Sequence, residues 1–460
     1  MLLATQNRST RVPLLLAGLS QFLVAFDASV TNVALRAIRD DVHFSPQGLS
    51  WVVNAYAIAF GGLLLLSGRL SDRFGPRSLL RFGFALFTVA SLAAYLCHEP
   101  WQVIVVRVLQ GVGAAAVAPA AITSVALTFR EPAQRARGFA AIAIGASVGG
   151  AVGVVLSGVI TDALGWRTVI ACGAVVSAVG LAISYAAPGP LDGADRRTDW
   201  AGGVLATGGL TVLTYGIVTA TDNGWGSART IGWFAVAASL LIAFVAVERR
   251  TAVPLVDFRV LGSREVLIPC LVLAVVVAGQ FGAFYFVSLY LQMGLGYSAT
   301  KTGVVFLPFC FGTVAAVRLA AWLVPKVGAR RVVAAGTAIA TVGFLLFAPL
   351  PTDGGFLTAI LIPSLVTSVG IGMVFLPLPN VATAAVAPAA AGMVSGLLNT
   401  FRQVGGALGL AILVTVSAAV NSGADVLPGY RAALFVSAGL VAAACGIAFL
   451  LPAKKPSTTG

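Results

Sequence analysis

Asp27 is an acidic residue inside the first long apolar stretch of the chain, "VPLLLAGLSQFLVAFDASVTNVAL" (residues 12–35). A charged side chain at the centre of a membrane costs about 2.5–3.5 kcal/mol even on lenient scales, so such residues usually mark an ion or proton pathway. On a helix, Asp27 shares one face with Ser20 and Thr31, which predicts a polar stripe directed into the protein. The alternative is a hydrogen-bonded anchor between helices.

A basic residue, Arg107, falls at a similar depth in the fourth apolar stretch. A rise of 1.5 Å per residue puts Asp27 about 12–13 Å and Arg107 about 9 Å below the same membrane boundary. Pairing would offset the desolvation of both charges, and protonation of Asp27 would release Arg107, giving a proton-driven switch. A static structural ion pair is the alternative.

Composition identifies the elements that must position these residues. Of 460 residues, 58% are hydrophobic and 10% are charged, and the mean hydropathy is +0.97. Soluble domains contain about 45–50% apolar and about 25% charged residues. Apolar runs of about 20 residues recur, and helices satisfy their own backbone groups within about 30 Å of hydrocarbon. We therefore expect an all-α integral protein of the lipid bilayer.

Polar and Gly/Pro-rich breaks predict fourteen helices, over residues 12–36, 49–70, 78–98, 101–128, 137–162, 166–187, 200–221, 229–248, 264–293, 300–325, 331–350, 354–383, 392–421 and 428–451. With a cytoplasmic N-terminus, 20 of the 29 Lys and Arg residues fall on the inside and six on the outside. The positive-inside rule then predicts that both termini are cytoplasmic. It also explains the net charge of +13 without a nucleic-acid partner.

Two short repeats suggest a duplicated architecture. "GRLSDRFGPRS" and "VRLAAWLVPKV" align at an offset of 249, pairing Arg69 with Arg318 and Pro76 with Pro325, and "VGGAVG" aligns with "VGGALG" at an offset of 256. Parallel six-helix repeats are a transporter architecture. We predict six-helix bundles over residues 12–187 and 264–451, with an inserted hairpin over residues 200–248.

The segment "GRLSDRFGPR" places Asp72, Arg73 and Arg77 in a short cytoplasmic turn bounded by Gly68 and Gly75. Glycine permits a tight reversal and close approach of helices. The segment is interpreted as a conformational latch, and the alternative is a solvated charged loop.

In the fifth stretch, Gly145, Gly149 and Gly153 recur every four residues, which allows a neighbouring helix to approach closely. The same stretch matches the hydrolase pattern GxSxG around Ser147, but the match falls within a helix and lacks the strand-to-helix elbow of hydrolases. The sequence has two histidines and no Walker-type phosphate-binding pattern. We therefore expect neither an enzyme nor a metal, cofactor or ATP site.

A further set of polar residues in apolar stretches could line a substrate cavity: Thr31, Asn32, Gln110, Gln280, Tyr285 and Arg402. Ordinary hydrogen bonds between helices explain them equally well. Arg402 could instead extend to the cytoplasmic surface or attract an anionic substrate.

These segments together resemble the major facilitator superfamily, and within it the fourteen-span drug:proton antiporters. The resemblance rests on "FDASVTNVAL", "GRLSDRFGPRS", "RVLQGVGAA" (107–115), "GASVGGAVG", "LYLQMGLGYSATKTGVVFLP" (289–308) and "AGMVSGLLNTFRQVGGALG" (391–409). It extends from about residue 15 to about residue 450. The sequence departs from the family pattern at Arg36, where a proline is usual, and at Gly150 and Val154 in the fifth helix.

The resemblance implies an alternating-access exporter of small hydrophobic drug-like molecules, driven by inward proton flow. Asp27 would sense the proton, Arg107 would couple it to transport, and Asp72, Arg73 and Arg77 would form the cytoplasmic gate. We expect a monomer in the cytoplasmic membrane of a bacterium, and the Arg-, Ala- and Gly-rich composition suggests an actinobacterium. The alternatives are a specific exporter of one endogenous metabolite and, more remotely, a non-transporting receptor or scaffold.

Overall fold

The computed structural model describes residues 2–45, 48–129, 132–186, 200–251, 256–351, 356–386, 391–421 and 426–452, and almost all of them are helical. The first half contains α1 (Leu2–Val42), α2 (Trp51–Phe74), α3 (Pro76–Ala93), α4 (Pro100–Thr128), α5 (Pro132–Leu164) and α6 (Trp166–Ala186). The hairpin helices are α7 (Trp200–Asn223) and α8 (Ala228–Glu248).

The second half begins with a short α9 (Phe258–Leu261) and contains α10 (Arg264–Leu289), α11 (Ala299–Val327), α12 (Ala329–Phe347), α13 (Ile362–Phe375), α14 (Pro377–Ala384), α15 (Ala391–Val420) and α16 (Leu427–Ala448). A π-helical turn, Tyr290–Gly294, continues α10, and another, Leu357–Leu361, leads into α13.

Among the described residues, twelve helical segments are long and apolar enough to cross a membrane. Two further apolar helical segments, Gly48–Leu64 and Ala201–Ile217, are shorter. The protein is therefore a multi-pass membrane protein, in which every predicted span falls on a helix. The count of fourteen spans and the cytoplasmic termini stay predictions.

The junction between α2 and α3 is a single glycine, Gly75, with φ 82°. Pro76 follows at the first helical position, where its missing N–H costs nothing. The expected turn bounded by Gly68 and Gly75 is wrong at its first boundary, because α2 continues through Gly68 to Phe74. One glycine inside a helix costs only about 1 kcal/mol, whereas a positive φ followed by proline ends the helix.

The helices separate into two compact units, residues 1–255 with 296–304 and residues 256–295 with 305–460. The hairpin belongs to the first unit. Thr207 of α7 donates a hydrogen bond to the carbonyl of Gly62 in α2 at 2.6 Å, and the rings of Trp51 and Tyr215 lie 5.6 Å apart. Helix α8 buries few of its residues, as a lipid-facing helix would.

The internal packing of the two halves follows the same pattern. In the first unit, a Cβ on Gly83 of α3 would lie 2.6 Å from the Gly113 carbonyl of α4, and in the second unit a Cβ on Gly336 of α12 would lie 2.9 Å from the Gly370 carbonyl of α13. The paired positions differ by 253 and 257 residues. The halves therefore share one arrangement of helix contacts.

The fifth-helix alignment at an offset of 256 agrees with this packing, since Gly149 and Gly405 each lie against the first helix of their half, at Phe22 and Ala274. The offset of 249 that aligns "GRLSDRFGPRS" with "VRLAAWLVPKV" is wrong by about one helical turn. Gly75 corresponds to Gly328, which also has a positive φ of 86°, at an offset of 253. Pro325 lies inside α11, whereas Pro76 begins α3, so the two prolines are not equivalent.

Candidate functional site

Asp27 of α1 and Arg107 of α4 form a buried ion pair. Arg107 Nη1 lies 2.9 Å from Asp27 Oδ1 and 2.8 Å from Asp27 Oδ2. The side chains are 4% and 1% exposed for Asp27 and Arg107, respectively. The similar depths inferred from the sequence correspond to direct contact in the structure.

Arg107 has further partners on α2 and on its own helix. Its Nε donates to the carbonyl of Val52 in α2 at 2.9 Å, and its Nη1 also contacts Gln110 Oε1 at 2.8 Å. The guanidinium carbon lies 4.6 Å from the ring centroid of Tyr56, a cation–π distance. Arg107 therefore has interaction partners that do not depend on the Asp27 carboxylate.

Gln110 is fully buried, and both ends of its amide are used. Its oxygen accepts from Arg107, and its Nε2 donates to Ser91 Oγ of α3 at 2.8 Å. Gln110 therefore holds Arg107 by a hydrogen bond and joins α4 to α3, which is the alternative that the sequence left open, and its role in a substrate cavity stays a prediction. The resulting chain of polar contacts runs from Asp27 through Arg107 and Gln110 to Ser91.

The Asp27–Arg107 pair can exist in two states, which differ by one proton on the Asp27 carboxylate. With Asp27 ionised, the opposite charges compensate each other in a buried site. With Asp27 protonated, the attraction between the pair is lost, while Arg107 keeps the Val52 carbonyl, the Gln110 amide and the Tyr56 ring.

The glycine stripe of α5 positions the helix that carries Asp27. A Cβ on Gly145 or Gly149 would overlap backbone atoms of Gly18 or Phe22 in α1, and one on Gly153 would lie 2.9 Å from the Phe26 carbonyl. The neighbouring Gly150 lies off this contact, with Ser29 Oγ at 3.7 Å as its nearest neighbour. The predicted close approach is thus made to α1, directly beside Asp27.

Arg77 of the expected gate segment contacts the end of another helix. Its Nε and Nη2 donate to the carbonyls of Ser184 and Tyr185 at 3.3 and 3.0 Å. Cations near a helix C-terminus satisfy free carbonyls and interact favourably with the helix dipole. The side chains of Asp72 and Arg73 lie outside the described part of the chain, so their expected gate role stays a prediction.

The other cavity candidates belong to both units of the chain. Thr31 and Asn32 donate to carbonyls of their own helix, those of Asp27 and Ala28, each at 2.9 Å. Gln280, Tyr285 and Arg402 belong to the second unit. There, Tyr285 is buried and its ring packs edge-on against Phe286 with centroids 5.2 Å apart. A substrate-binding role for these residues stays a prediction.

Sequence reasoning missed four residues that shape the first unit. Val52 contributes only a backbone carbonyl, which no side-chain pattern reveals, and Ser91 is one serine among many in apolar helices. Tyr56 could have been noticed as an aromatic residue with a polar tip in an apolar run. Asp162 accepts hydrogen bonds from the backbone N–H groups of Ala299 and Thr300 at 3.1 and 2.8 Å, which joins the first turn of α11 to α5.

Comparison with known proteins agrees with this fold. A crystal structure of the POT-family transporter PepTSo superposes with a TM-score of 0.68 over 96% of this chain and 97% of its own, at 16% identity, which establishes the fold alone. A cephamycin export protein from Amycolatopsis lactamdurans is 40% identical over 99% of this chain and 95% of its own length.

A puromycin resistance protein from Streptomyces alboniger is 37% identical over 86% of this chain and 80% of its own. A lincomycin resistance protein from Streptomyces lincolnensis is 33% identical over 98% of this chain and 94% of its own length. The sequence profile described as Major Facilitator Superfamily matches residues 17–410. The chain therefore belongs to the Major Facilitator Superfamily of membrane transporters.

Proposed function

We propose that this transporter exports hydrophobic drug-like or antibiotic-like molecules across the cytoplasmic membrane in exchange for protons. Similarity to proteins named for antibiotic export and resistance supports the substrate class. The observation that carries the coupling is the Asp27–Arg107 pair, a buried carboxylate whose charge one proton can cancel.

In this proposal, a proton from outside binds Asp27 and ends its attraction to Arg107, which favours one of the two access states. One proton moving through 100 mV releases about 2.3 kcal/mol, equivalent to roughly fifty-fold accumulation of substrate. The proton gradient is the only energy source that the proposal needs. Neither ATP nor a bound cofactor is required, and a monomer suffices.

A second candidate is export of a single endogenous compound on the same fold. The relative that matches nearly the whole chain is named for export of one compound, cephamycin, and this favours the second candidate. A panel of dyes and antibiotics tested in a host without its own pumps separates the two candidates. Resistance to many unrelated compounds supports a broad exporter, and resistance to one supports a specific exporter.

Coupling is tested in inverted membrane vesicles with an imposed pH gradient and the aromatic dye Hoechst 33342. We expect wild-type protein to take up the dye only while the gradient exists. Asp27→Asn keeps the size of the side chain and a hydrogen-bond acceptor, and it should abolish uptake in folded protein. Asp40→Asn is the matched control, because Asp40 is an exposed residue of the same helix. Uptake by Asp27→Asn at the wild-type rate would refute the coupling scheme.

A further inference from the structure

The junction between α11 and α12 in the second unit carries three cationic side chains, Lys326, Arg330 and Arg331. Lys326 and Arg331 are exposed, and Arg330 is partly buried. None of the three has an ion pair among the described contacts. The sequence of this unit contains ten basic and four acidic residues, so its own carboxylates are too few to neutralise its cations.

This junction lies at a membrane boundary. Helices α11 and α12 are each long and apolar enough to cross the bilayer, and the chain reverses between them at a single glycine, Gly328. The residues that flank the reversal therefore lie where the hydrocarbon ends. The positive-inside rule predicts that this boundary is the cytoplasmic one, where anionic lipid headgroups attract basic residues.

Two of the cations lie against exposed aromatic rings. Lys326 Nζ is 3.3 Å from the ring centroid of Trp322, which lies one turn deeper in α11. The guanidinium carbon of Arg330 is 5.8 Å from the ring centroid of Phe449, the residue directly after α16. Trp322 is 58% exposed and Phe449 is 55% exposed. Each cation is thus held beside an apolar surface that an acyl chain can cover.

The equivalent arginine of the first unit is used differently. The positive-φ glycines of the two junctions align Arg77 with Arg330 at an offset of 253. Arg77 donates to two carbonyls at the end of α6. The end of α16 is closed by its own backbone instead, because the carbonyls of residues 446–448 accept from the N–H groups of residues 449–451. Among the described contacts, Arg330 donates no hydrogen bond, so its donors are available to another acceptor.

We propose that the α11–α12 junction binds the headgroup of an anionic phospholipid. The ammonium of Lys326 and the guanidinium of Arg330 hold the phosphate oxygens, and Arg331 adds a third positive charge. The acyl chains lie along Trp322 and Phe449. A zwitterionic lipid carries its own cation beside the phosphate, so it gains less from these residues. Such a site does not require the proposed export function.

The test is a lipid titration of delipidated full-length protein in detergent, measured by native mass spectrometry. Phosphatidylglycerol and cardiolipin are the anionic probes, and phosphatidylcholine is the zwitterionic probe. We expect wild-type protein to bind the anionic lipids more tightly than phosphatidylcholine. Each cation removed should weaken anionic-lipid binding about five-fold, so Lys326→Gln/Arg330→Gln should weaken it about 25-fold. Trp322→Ala should weaken binding of the same lipids without changing the charge of the site.

Arg249→Gln/Arg250→Gln is the matched control, because it also removes two positive charges, from exposed arginines directly after α8. It should bind the anionic lipids as wild-type protein does. Wild-type affinity in Lys326→Gln/Arg330→Gln, or equal weakening in both double variants, would overturn the proposal. Inorganic phosphate separates a lipid site from a free-anion site. We expect it to leave the unfolding temperature of lipid-free protein unchanged, and a rise that Lys326→Gln/Arg330→Gln abolishes would also overturn the proposal.

Discussion

One nitrogen of Arg107, Nη1, contacts both carboxylate oxygens of Asp27 and also the amide oxygen of Gln110, at 2.8–2.9 Å. The remaining contacts of Arg107, to the Val52 carbonyl and the Tyr56 ring, come from α2 and not from α1. Asp27 can therefore lose its charge without dismantling the site around Arg107. This separates the proton-dependent contact from those that hold the arginine in place.

Removing one member of this pair should destabilise the protein more than removing both. Asp27→Leu leaves the Arg107 charge buried without its counter-ion, and we expect a loss of about 3–5 kcal/mol in the free energy of unfolding. The double variant Asp27→Leu/Arg107→Met replaces the pair with apolar side chains and should regain most of that loss. Thermal unfolding in nanodiscs measures both. Equal stability of the single and double variants would show that the pair is not coupled.

Adjacent glycines of α5 should differ sharply in their tolerance of a methyl group. Gly149→Ala places a Cβ against the backbone of Phe22, which neither helix can avoid without moving, and should cost about 1–3 kcal/mol. Gly150→Ala meets only Ser29 Oγ at 3.7 Å and should be neutral or slightly stabilising. Unfolding temperatures of the two variants check the difference. Similar values for both would mean that α5 does not pack tightly on α1.

Depth and charge were enough to predict the contact between Asp27 and Arg107, because a helix has a fixed rise and two buried opposite charges stabilise each other. The four-residue spacing of Gly145, Gly149 and Gly153 likewise predicted a close helix contact. Sequence could not identify α1 as the partner helix. That choice depends on the packing of all the helices.

The polar shell around Arg107 was beyond the reach of sequence patterns for a related reason. Gln110 lies on the same helical face as Arg107, so its proximity could be predicted, but Ser91 and Val52 come from other helices. The repeat also needed the structure. "VPKV" resembles "GPRS" in composition, yet the contacts place Gly328, and not Pro325, at the corresponding helix junction.

Arg77 should contribute to stability through the end of α6. Arg77→Ala removes two charge-assisted hydrogen bonds to the carbonyls of Ser184 and Tyr185, and we expect a loss of about 1–2 kcal/mol. Arg77→Lys keeps the charge but cannot reach both carbonyls in the same planar geometry, so its loss should be intermediate. Hydrogen exchange at the end of α6 measures the effect locally. Unchanged exchange together with lost transport would assign Arg77 to gating alone.

Asp162 should anchor the first turn of α11. Its two carboxylate oxygens accept from the backbone N–H groups of Ala299 and Thr300, which have no partner within the helix. Asp162→Ala should cost about 0.5–2 kcal/mol and speed hydrogen exchange over residues 299–304, as expected for loss of a helix cap.

Asp162→Asn retains one acceptor but loses the favourable interaction of a negative charge with the helix N-terminus, so its effect should be smaller. Asp40→Ala is the matched control, since Asp40 is an exposed acid that pairs only with arginines of its own helix, Arg36 and Arg39, among the described contacts. A loss of stability in Asp162→Asn that equals or exceeds the loss in Asp162→Ala would contradict capping. It would indicate that the carboxylate acts through another contact.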